Sequence, residues 1–529
     1  MIDTTYDVVV IGGGITGTGV AVDAASRGLK VALVEREDIA SGTSSKSSKL
    51  VHGGLRYLQQ KEFRLVYENL RERQRLLENA PYLVRPLPFL IPLFARNAAM
   101  AKALTKGYSG ALRLYDLSGG WRIGARHRRI SVDEAVAHLP SLNRDHLVAG
   151  FIYLDARGDD ARVALVLART ASDLGADVLT YARVESVEHG PAGEPLTVHV
   201  RDALDGSSLT LRTTTVVNAT GVWTDEVFNV AEHQSSHQVT PAKGVHLSVP
   251  RHRLVADVAA VISVPGDRRS IFVVPFDDAP YTFIGTTDTP YDGLLDQPEC
   301  TPHDVAYLLD AINASTSSNL SAADVTGVWA GLRPLLAPRV GEQLRERTAD
   351  LSRRHRVSDS RDGVIHITGG KWTTYRQMAE DAVDALHPYL PGLAKVRTKH
   401  LALHGVGDWR PTTELEHHLF ARYGEDATTV VSLVTESPHL GEPMIEGQPF
   451  VGAEFIHAVR HEMALTLEDL LTRRTRAHLH DARATAMAAP AIARLVADEL
   501  GWDDDETARQ LERYLSLVRR EFSAAGLPL

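Results

Sequence analysis

At 529 residues the chain exceeds one compact domain, and its 44% apolar content can fill several cores. A net charge of −10 disfavours nonspecific nucleic-acid binding, and the single cysteine, Cys300, excludes an intrachain disulfide and any cysteine-bound iron–sulfur cluster. No internal repeat stands out, and no apolar run is long enough to cross a bilayer; the most tempting, residues 87–95, is short and holds two prolines. A strand pattern beginning within six residues of Met1 leaves no room for an expected signal peptide.

The first element is an apolar strand over residues 6–11, followed by Gly12-Gly13-Gly14-Ile15-Thr16-Gly17 and a second apolar run, residues 30–34, closed by Glu35. Strand, glycine turn, helix, strand and distal acid together read as a dinucleotide site. Gly12 permits the tight turn, Gly14 lets the backbone approach a pyrophosphate, and Gly17 lets helix and strand pack closely. The helix N-terminus offers N–H groups and a positive dipole end to phosphates, and Glu35 can accept from a ribose hydroxyl. The loop that follows is rich in hydroxyls, Thr43, Ser44 and Ser45 among them. These groups could wrap the far half of an extended FAD, or simply be solvated. His52-Gly53-Gly54-Leu55-Arg56-Tyr57 comes next and favours the first reading, because paired glycines stand beside a histidine, an arginine and a tyrosine.

Residues 85–129 hold nine basic side chains and one acid, Asp116. If 97–117 is helical, Lys102, Lys106 and Arg113 share one face, and Met100, Leu104, Ala111 and Tyr115 lie opposite. Such a helix can lie in a membrane interface or pack on the protein's own core, and both readings stand. Residues 215–221 form a strand that runs into the turn at Gly221. Residues 239–249, 271–275 and 281–286 have the branched and aromatic content of strands. His233 and His237 are spaced for a metal, but no acid or cysteine completes a set, so no metal site is expected. Beyond residue 393 amphipathic helices are expected at 414–422, 455–462, 467–480 and 505–522.

Residues 11–58 resemble the signature of FAD-dependent glycerol-3-phosphate dehydrogenases, and residues 369–381, Gly-Gly-Lys-Trp-Thr-Thr-Tyr-Arg-Gln-Met-Ala-Glu-Asp, resemble that family's second signature. Asn218-Ala219-Thr220-Gly221, Lys243-Gly244-Val245-His246, Gly285-Thr286-Thr287-Asp288 and Gly331-Leu332-Arg333-Pro334-Leu335 lie between them in family order. Residues 465–476 resemble its helical tail, so the likeness spans nearly the whole chain. It implies an α/β fold: a Rossmann-like FAD-binding domain, an inserted α+β substrate domain and a C-terminal helical domain. Within residues 1–385 the FAD domain is expected at about 1–80, 150–225 and 340–385, and the substrate domain at about 81–149 and 226–339. The helical domain would cover 395–529.

The resemblance further implies oxidation of sn-glycerol 3-phosphate to dihydroxyacetone phosphate by hydride transfer to FAD, with electrons passed to a membrane quinone. Flavin oxidation of a secondary alcohol needs a base for the hydroxyl proton, and a phosphate needs fixed cations. Carried over by motif, Arg333 and Lys371 are phosphate ligands and Arg56 and Tyr57 further substrate contacts. Arg353 is a fifth candidate, for which a surface arginine in a charged loop is the better reading. Gly221 and Thr374 join the FAD site. His52 is the first choice as base and His246 the second, since neutral imidazole is available near pH 7. An anionic lipid surface, reached by the basic segment and assisted by Arg473-Arg474-Thr475-Arg476, would place the protein peripherally at the cytoplasmic face of the plasma membrane. A homodimer is left open. Competing readings are an oxidase that reduces O₂ to hydrogen peroxide, a deaminating amino-acid oxidase, and a non-catalytic flavin-binding sensor module.

Overall fold

The structure, a computed structural model, describes residues 5–55, 57, 62–190, 194–227, 238–267, 269–337, 354–360 and 362–529. Arg56, Arg353, His233 and His237 lie outside the described residues. The chain opens with β1 (Thr5–Ile11), α1 (Ile15–Ser26) and β2 (Val31–Val34). It then runs through β3 (Leu50–Val51), α2 (Phe63–Asn79), β4 (Val84–Phe94), α3 (Ala98–Leu117), β5 (Arg128–Ile130), α4 (Val132–His138) and β6 (Leu147–Gly158). Next come α5 (Asp160–Asp173), β7 (Asp177–Leu179), β8 (Ala182–Glu188), β9 (Leu196–Asp202) and β10 (Ser208–Asn218). A second excursion comprises β11 (Val239–Pro250), β12 (Ala259–Ser263), β13 (Ser270–Pro275), β14 (Tyr281–Gly285), β15 (Thr289–Pro290), α6 (Pro302–Ser315) and β16 (Gly327–Leu336). After β17 (His355–Asp359), β18 (Val364–Gly369) and α7 (Tyr375–Asp384), the remainder is helical.

Two sheets organise these elements. The first has the order β17-β18-β10-β1-β2-β7, with β1 parallel to β2 and β10, and the β8–β9 hairpin attached through β10. Its central strand is apolar without alternation because both faces are covered. Val8 and Val10 join the core beneath α1 and α5, whereas Val9 and Ile11 join a core with Val198, Val200 and Val216. The second sheet has the order β15-β11-β14-β13-β12-β4-β6-β3, with β16 beside β11 and β5 beside β6. One face packs on α6 and the C-terminal helices through Leu90, Val245, Ile271 and Ile284. The other face, with Phe89, Ile91, Phe151 and Tyr153, is covered by Leu70 of α2 and Leu112 and Tyr115 of α3. Because β6 belongs to this second sheet through Gly158, the first sheet's middle segment starts near residue 160, not at 150 as expected.

Two further expectations are corrected. Asn97 caps α3 by accepting from the Met100 N–H at 2.9 Å, so the helix begins as read, but its faces are differently used. Tyr115 is buried and Leu104 packs inward, while Met100, Leu114 and Leu117 are exposed beside Lys102, Lys106 and Arg113. Of the apolar face expected for membrane insertion, Leu104 and Tyr115 thus turn to the core while Met100 is exposed, and the outward face mixes cations with apolar side chains. Residues 467–480 do not form one helix. A π-helical turn, Asp469–Arg474, precedes Arg476 in the left-handed region at φ +69°, and Ala477–His480 is a separate short helix. The Arg473, Arg474 and Arg476 side chains are buried. Arg473 and Arg474 meet Asp38 at 2.5 and 2.7 Å, and Arg476 meets Asp160 at 3.0 Å. They tie the C-terminal helices to the first sheet's loops and offer nothing to a lipid surface.

Candidate active site

The glycine turn after β1 is dictated by steric limits. Gly12 has φ +112°, and a Cβ there would stand 2.9 Å from the Ala219 carbonyl oxygen. A Cβ at Gly17 would stand 1.8 Å from the Gly12 carbonyl oxygen, so that position packs α1 on the strand and does not line the cavity. Gly14 meets only the Ser44 hydroxyl and faces open space, as close approach of a pyrophosphate requires. Ser44 Oγ also accepts from the Ile15 N–H at 2.8 Å, at the start of α1. Glu35 accepts from the N–H groups of Gly13 and Glu37 at 2.6 and 2.9 Å; burial pushes its carboxyl upward against these two bonds. The residues present fit the phosphate and ribose of a dinucleotide.

Thr43 and Ser44 line the same cavity, and the Thr43 hydroxyl donates to the Leu332 carbonyl at 2.6 Å. Ser45 does not reach it. Its hydroxyl turns back to Gly42 at 3.3 Å and its carbonyl accepts from Arg476 at 2.5 Å. Gly221, at φ +63° after β10, lines the cavity. Thr374 is buried and donates to the Lys371 carbonyl at 3.2 Å; its neighbour Thr373 takes the lining position instead.

The second sheet and its loops supply the opposite wall. His246, on β11, stacks on Trp329 with ring centroids 4.9 Å apart, and its Nε2 lies 2.7 Å from Ser48 Oγ. Its Nδ1 is buried with no hydrogen-bond partner. His52 follows β3 and meets Phe272 edge to face at 6.4 Å. Burial first, then Lys371 and Arg73, against a raising effect from Asp155, pushes the His52 imidazole down to about 4. Burial, reinforced by Lys49 and Arg333, holds His246 well below the ordinary range. Both rings are therefore neutral at pH 7.

The backbone beside His52 is clamped by a buried network that no local sequence signal announced. The Gly53 N–H donates to Tyr115 Oη at 3.0 Å and Asp155 at 3.2 Å, and Asn69 donates to the Gly53 carbonyl at 3.0 Å. Arg73 and the Tyr115 hydroxyl both bond Asp155, each at 2.6 Å. Lys371 Nζ sits 3.9 Å above the Tyr57 ring. Arg333, on β16, donates to Thr286 Oγ1 and to the carbonyls of Thr287 and Lys243 at 3.0–3.2 Å, and meets Asp288 at 3.3 Å. One cavity of about 620 Å³ is lined by Gly12, Gly14, Glu35, Thr43, Ser44, His52, Tyr57, Gly221, His246, Arg333 and Lys371 together. Sequence reasoning missed Lys46, Ser47 and Ser48, which also line it, although they extend the hydroxyl-rich run of the same loop.

Residues 7–376 match the family model of FAD dependent oxidoreductases, and residues 365–507 match the C-terminal domain of alpha-glycerophosphate oxidase. Glycerol-3-phosphate dehydrogenase 2 of Mycobacterium tuberculosis is 40% identical over 540 residues, covering 99% of this chain and 90% of that protein. The human mitochondrial glycerol-3-phosphate dehydrogenase is 36% identical over 543 residues, 96% of this chain and 72% of its own length. The crystal structure of glycerol-3-phosphate dehydrogenase from Bacillus halodurans, complexed with FAD, superposes with a TM-score of 0.78 at 30% identity, covering 99% of this chain and 96% of that one.

Proposed function

Because the chain belongs to the FAD-dependent glycerol-3-phosphate dehydrogenase family, we propose that it oxidises sn-glycerol 3-phosphate to dihydroxyacetone phosphate and passes two electrons to a membrane quinone. FAD is the cofactor, and when bound it supplies the two-electron sink. The observation that carries the reading is the convergence of the Gly14–Glu35 cradle, two neutral histidines and the cations Arg333 and Lys371 on one cavity. Arg333 brings a guanidinium charge held in place by Thr286, Thr287 and Lys243, and Lys371 adds a point charge. Tyr57 holds Lys371 in place from beneath its ammonium. His52 accepts the hydroxyl proton, its position set by the hydrogen-bonded Gly53 backbone. Arg56 keeps the substrate-contact role that the family motif implies, outside the described residues. Anaerobic addition of glycerol 3-phosphate to the purified flavoprotein tests the reaction. The flavin absorbance should bleach with glycerol 3-phosphate and persist with an amino acid; bleaching by the amino acid alone would overturn the assignment.

Glu35 provides a test of cofactor binding. A charge-assisted hydrogen bond contributes about 1.5–3 kcal/mol, so Glu35→Ala should weaken FAD binding roughly ten- to a hundredfold. Dialysis followed by flavin fluorescence measures this; unchanged retention would show that the ribose is held by other groups.

A quinone acceptor resides in lipid, and no helix among the described residues is long and apolar enough to cross a membrane. Peripheral attachment at the cytoplasmic face of the plasma membrane meets this need. The outward face of α3 supports it, because Lys102, Lys106 and Arg113 stand beside exposed Met100, Leu114 and Leu117, with exposed Trp121 just beyond. Exposed charges are screened over about 10 Å at 0.1 M salt. The protein should therefore sediment with anionic liposomes at low salt, less so at high salt, and less again when Lys102, Lys106 and Arg113 are all replaced by Glu. Undiminished binding of that triple variant would assign attachment to another surface.

A further inference from the structure

Glu35, suited to a ribose hydroxyl, marks the adenosine end of the cofactor cavity. The Ala182 N–H, at the start of β8, donates to the Glu35 carbonyl there at 2.7 Å. Arg36 comes next in the chain and Trp223 follows β10; both line the cavity, with Gly42, Val184 and Val227. The Arg36 guanidinium lies 4.5 Å from the centre of the Trp223 ring, a cation–π stack. The indole also packs on bare backbone, since a Cβ at Gly42 would stand 2.8 Å from it.

Both members of the stack are bonded to Asp296. Its carboxylate pairs with the Arg36 guanidinium and accepts from Trp223 Nε1 at 2.8 Å. Asp296 does not itself line the cavity. It stands in the loop between β15 and α6, part of the second sheet's excursion, whereas Arg36 and Trp223 follow strands of the first sheet. That loop is anchored at both ends. The Tyr291 N–H donates to the Pro241 carbonyl at 3.2 Å, and the Glu299 carbonyl accepts from Lys243 Nζ at 2.9 Å. Between the anchors Leu294 is exposed, and among the described residues the hydrogen bonds that join the loop to the first sheet's segments are those of Asp296.

We propose that Arg36 and Trp223 grip the adenine of FAD, and that Asp296 positions this pair as the tip of a strap that must lift before the cofactor leaves. The inference rests on FAD as the cofactor and on Glu35 as its ribose acceptor. It adds how the adenosine half is held and what governs its release. A purine offers a flat π-face, and both an indole and a guanidinium plane stack on such a face. A free arginine side chain would lose rotamer entropy on ordering against the ring. Bonded to Asp296, the guanidinium and the indole share one arrangement before FAD arrives, and that lowers the cost of binding. The strap comes from the sheet that carries Arg333 and His246, so closing it over the cofactor also joins the substrate's wall of the cavity to the FAD-binding sheet.

FAD release from the loaded full chain, followed on dilution by the rise of free flavin fluorescence, tests this. Asp296 is exposed, so Asp296→Ala leaves the core closed; it should release FAD roughly three- to tenfold faster than the wild type. Trp223→Ala removes a stacking face and should speed release about tenfold or more. Because Asp296 acts through the pair, adding Asp296→Ala to Arg36→Ala should speed release by no more than about twofold over Arg36→Ala alone. Asp296→Glu keeps the carboxylate and should stay within about twofold of the wild type. At about 1 M salt the difference between the wild type and Asp296→Ala should shrink, as an exposed ion pair is screened. Asp292 is an exposed acid of the same loop, and Asp292→Asn should behave as the wild type. Unchanged release in Asp296→Ala and Trp223→Ala, with faster release in Glu35→Ala, would overturn the grip while leaving the ribose assignment intact. So would a fully additive double variant, or equally fast release from Asp292→Asn, because the loop would then act through its fold alone. Release from Glu35→Ala as slow as from the wild type would remove the ribose assignment, and the proposal with it.

Discussion

Replacing His52 with alanine should slow bleaching of the flavin by glycerol 3-phosphate about 10²–10⁴-fold, the usual contribution of a positioned general base. The imidazole stands in the cavity with Tyr57 and Lys371, and the neighbouring Gly53 N–H is fixed by Tyr115 and Asp155. His246 is the weaker candidate because its Nε2 is engaged with Ser48 and its ring lies against Trp329. FAD content should be unchanged in His52→Ala, which separates loss of a base from loss of the site. The pH profile gives a second readout. Free His52 is held near 4, so the base is neutral from pH 8 down to about 5, and kcat/KM should fall only as pH drops through that value. A bound phosphate dianion adds negative charge and raises the imidazole pKa, so the fall in kcat should come at higher pH than the fall in kcat/KM. Normal bleaching in His52→Ala with collapse in His246→Ala would exchange the two roles.

Arg333→Ala and Lys371→Ala should each cut kcat/KM for glycerol 3-phosphate about ten- to a hundredfold, from the roughly 1.5–3 kcal/mol of a charge-assisted hydrogen bond. Any residual oxidation of glycerol should be nearly unaffected. Thr286, Thr287 and Lys243 fix the Arg333 guanidinium before substrate arrives, so Arg333→Lys should keep charge but lose these fixing bonds and recover only part of the activity. Equal losses on both substrates would mean that these cations maintain the fold or the cofactor site.

The opening βαβ unit could be read from sequence because its glycine spacing follows from contacts: Gly12 and Gly17 stand where a Cβ would strike backbone. Glu35, His52, His246, Arg333 and Lys371 come from distant segments, yet family motifs were enough to collect them, and they do share one cavity. What was not legible depends on direction or on remote partners. Helix α3 carries apolar residues on more than one stripe, and periodicity alone does not say which stripe finds the sheet; Leu104, Leu112 and Tyr115 do. An arginine run reads by default as a solvated patch, but Arg473 meets Asp38 at 435 residues' separation. The hydroxyls of Ser45 and Thr374 turn to nearby carbonyls, a local choice that residue type does not disclose. The Arg73–Asp155–Tyr115 network is assembled from three separate segments, none of which signals it alone.

Double-mixing stopped flow tests the central claim most directly. The FAD-loaded enzyme is bleached anaerobically with glycerol 3-phosphate, then mixed with either decylubiquinone or O₂. The expected result is rapid bleaching, dihydroxyacetone phosphate formed in equal amount to the flavin reduced, and recovery of the flavin absorbance far faster with the quinone. Absence of bleaching, or faster recovery with O₂ accompanied by hydrogen peroxide, would contradict it.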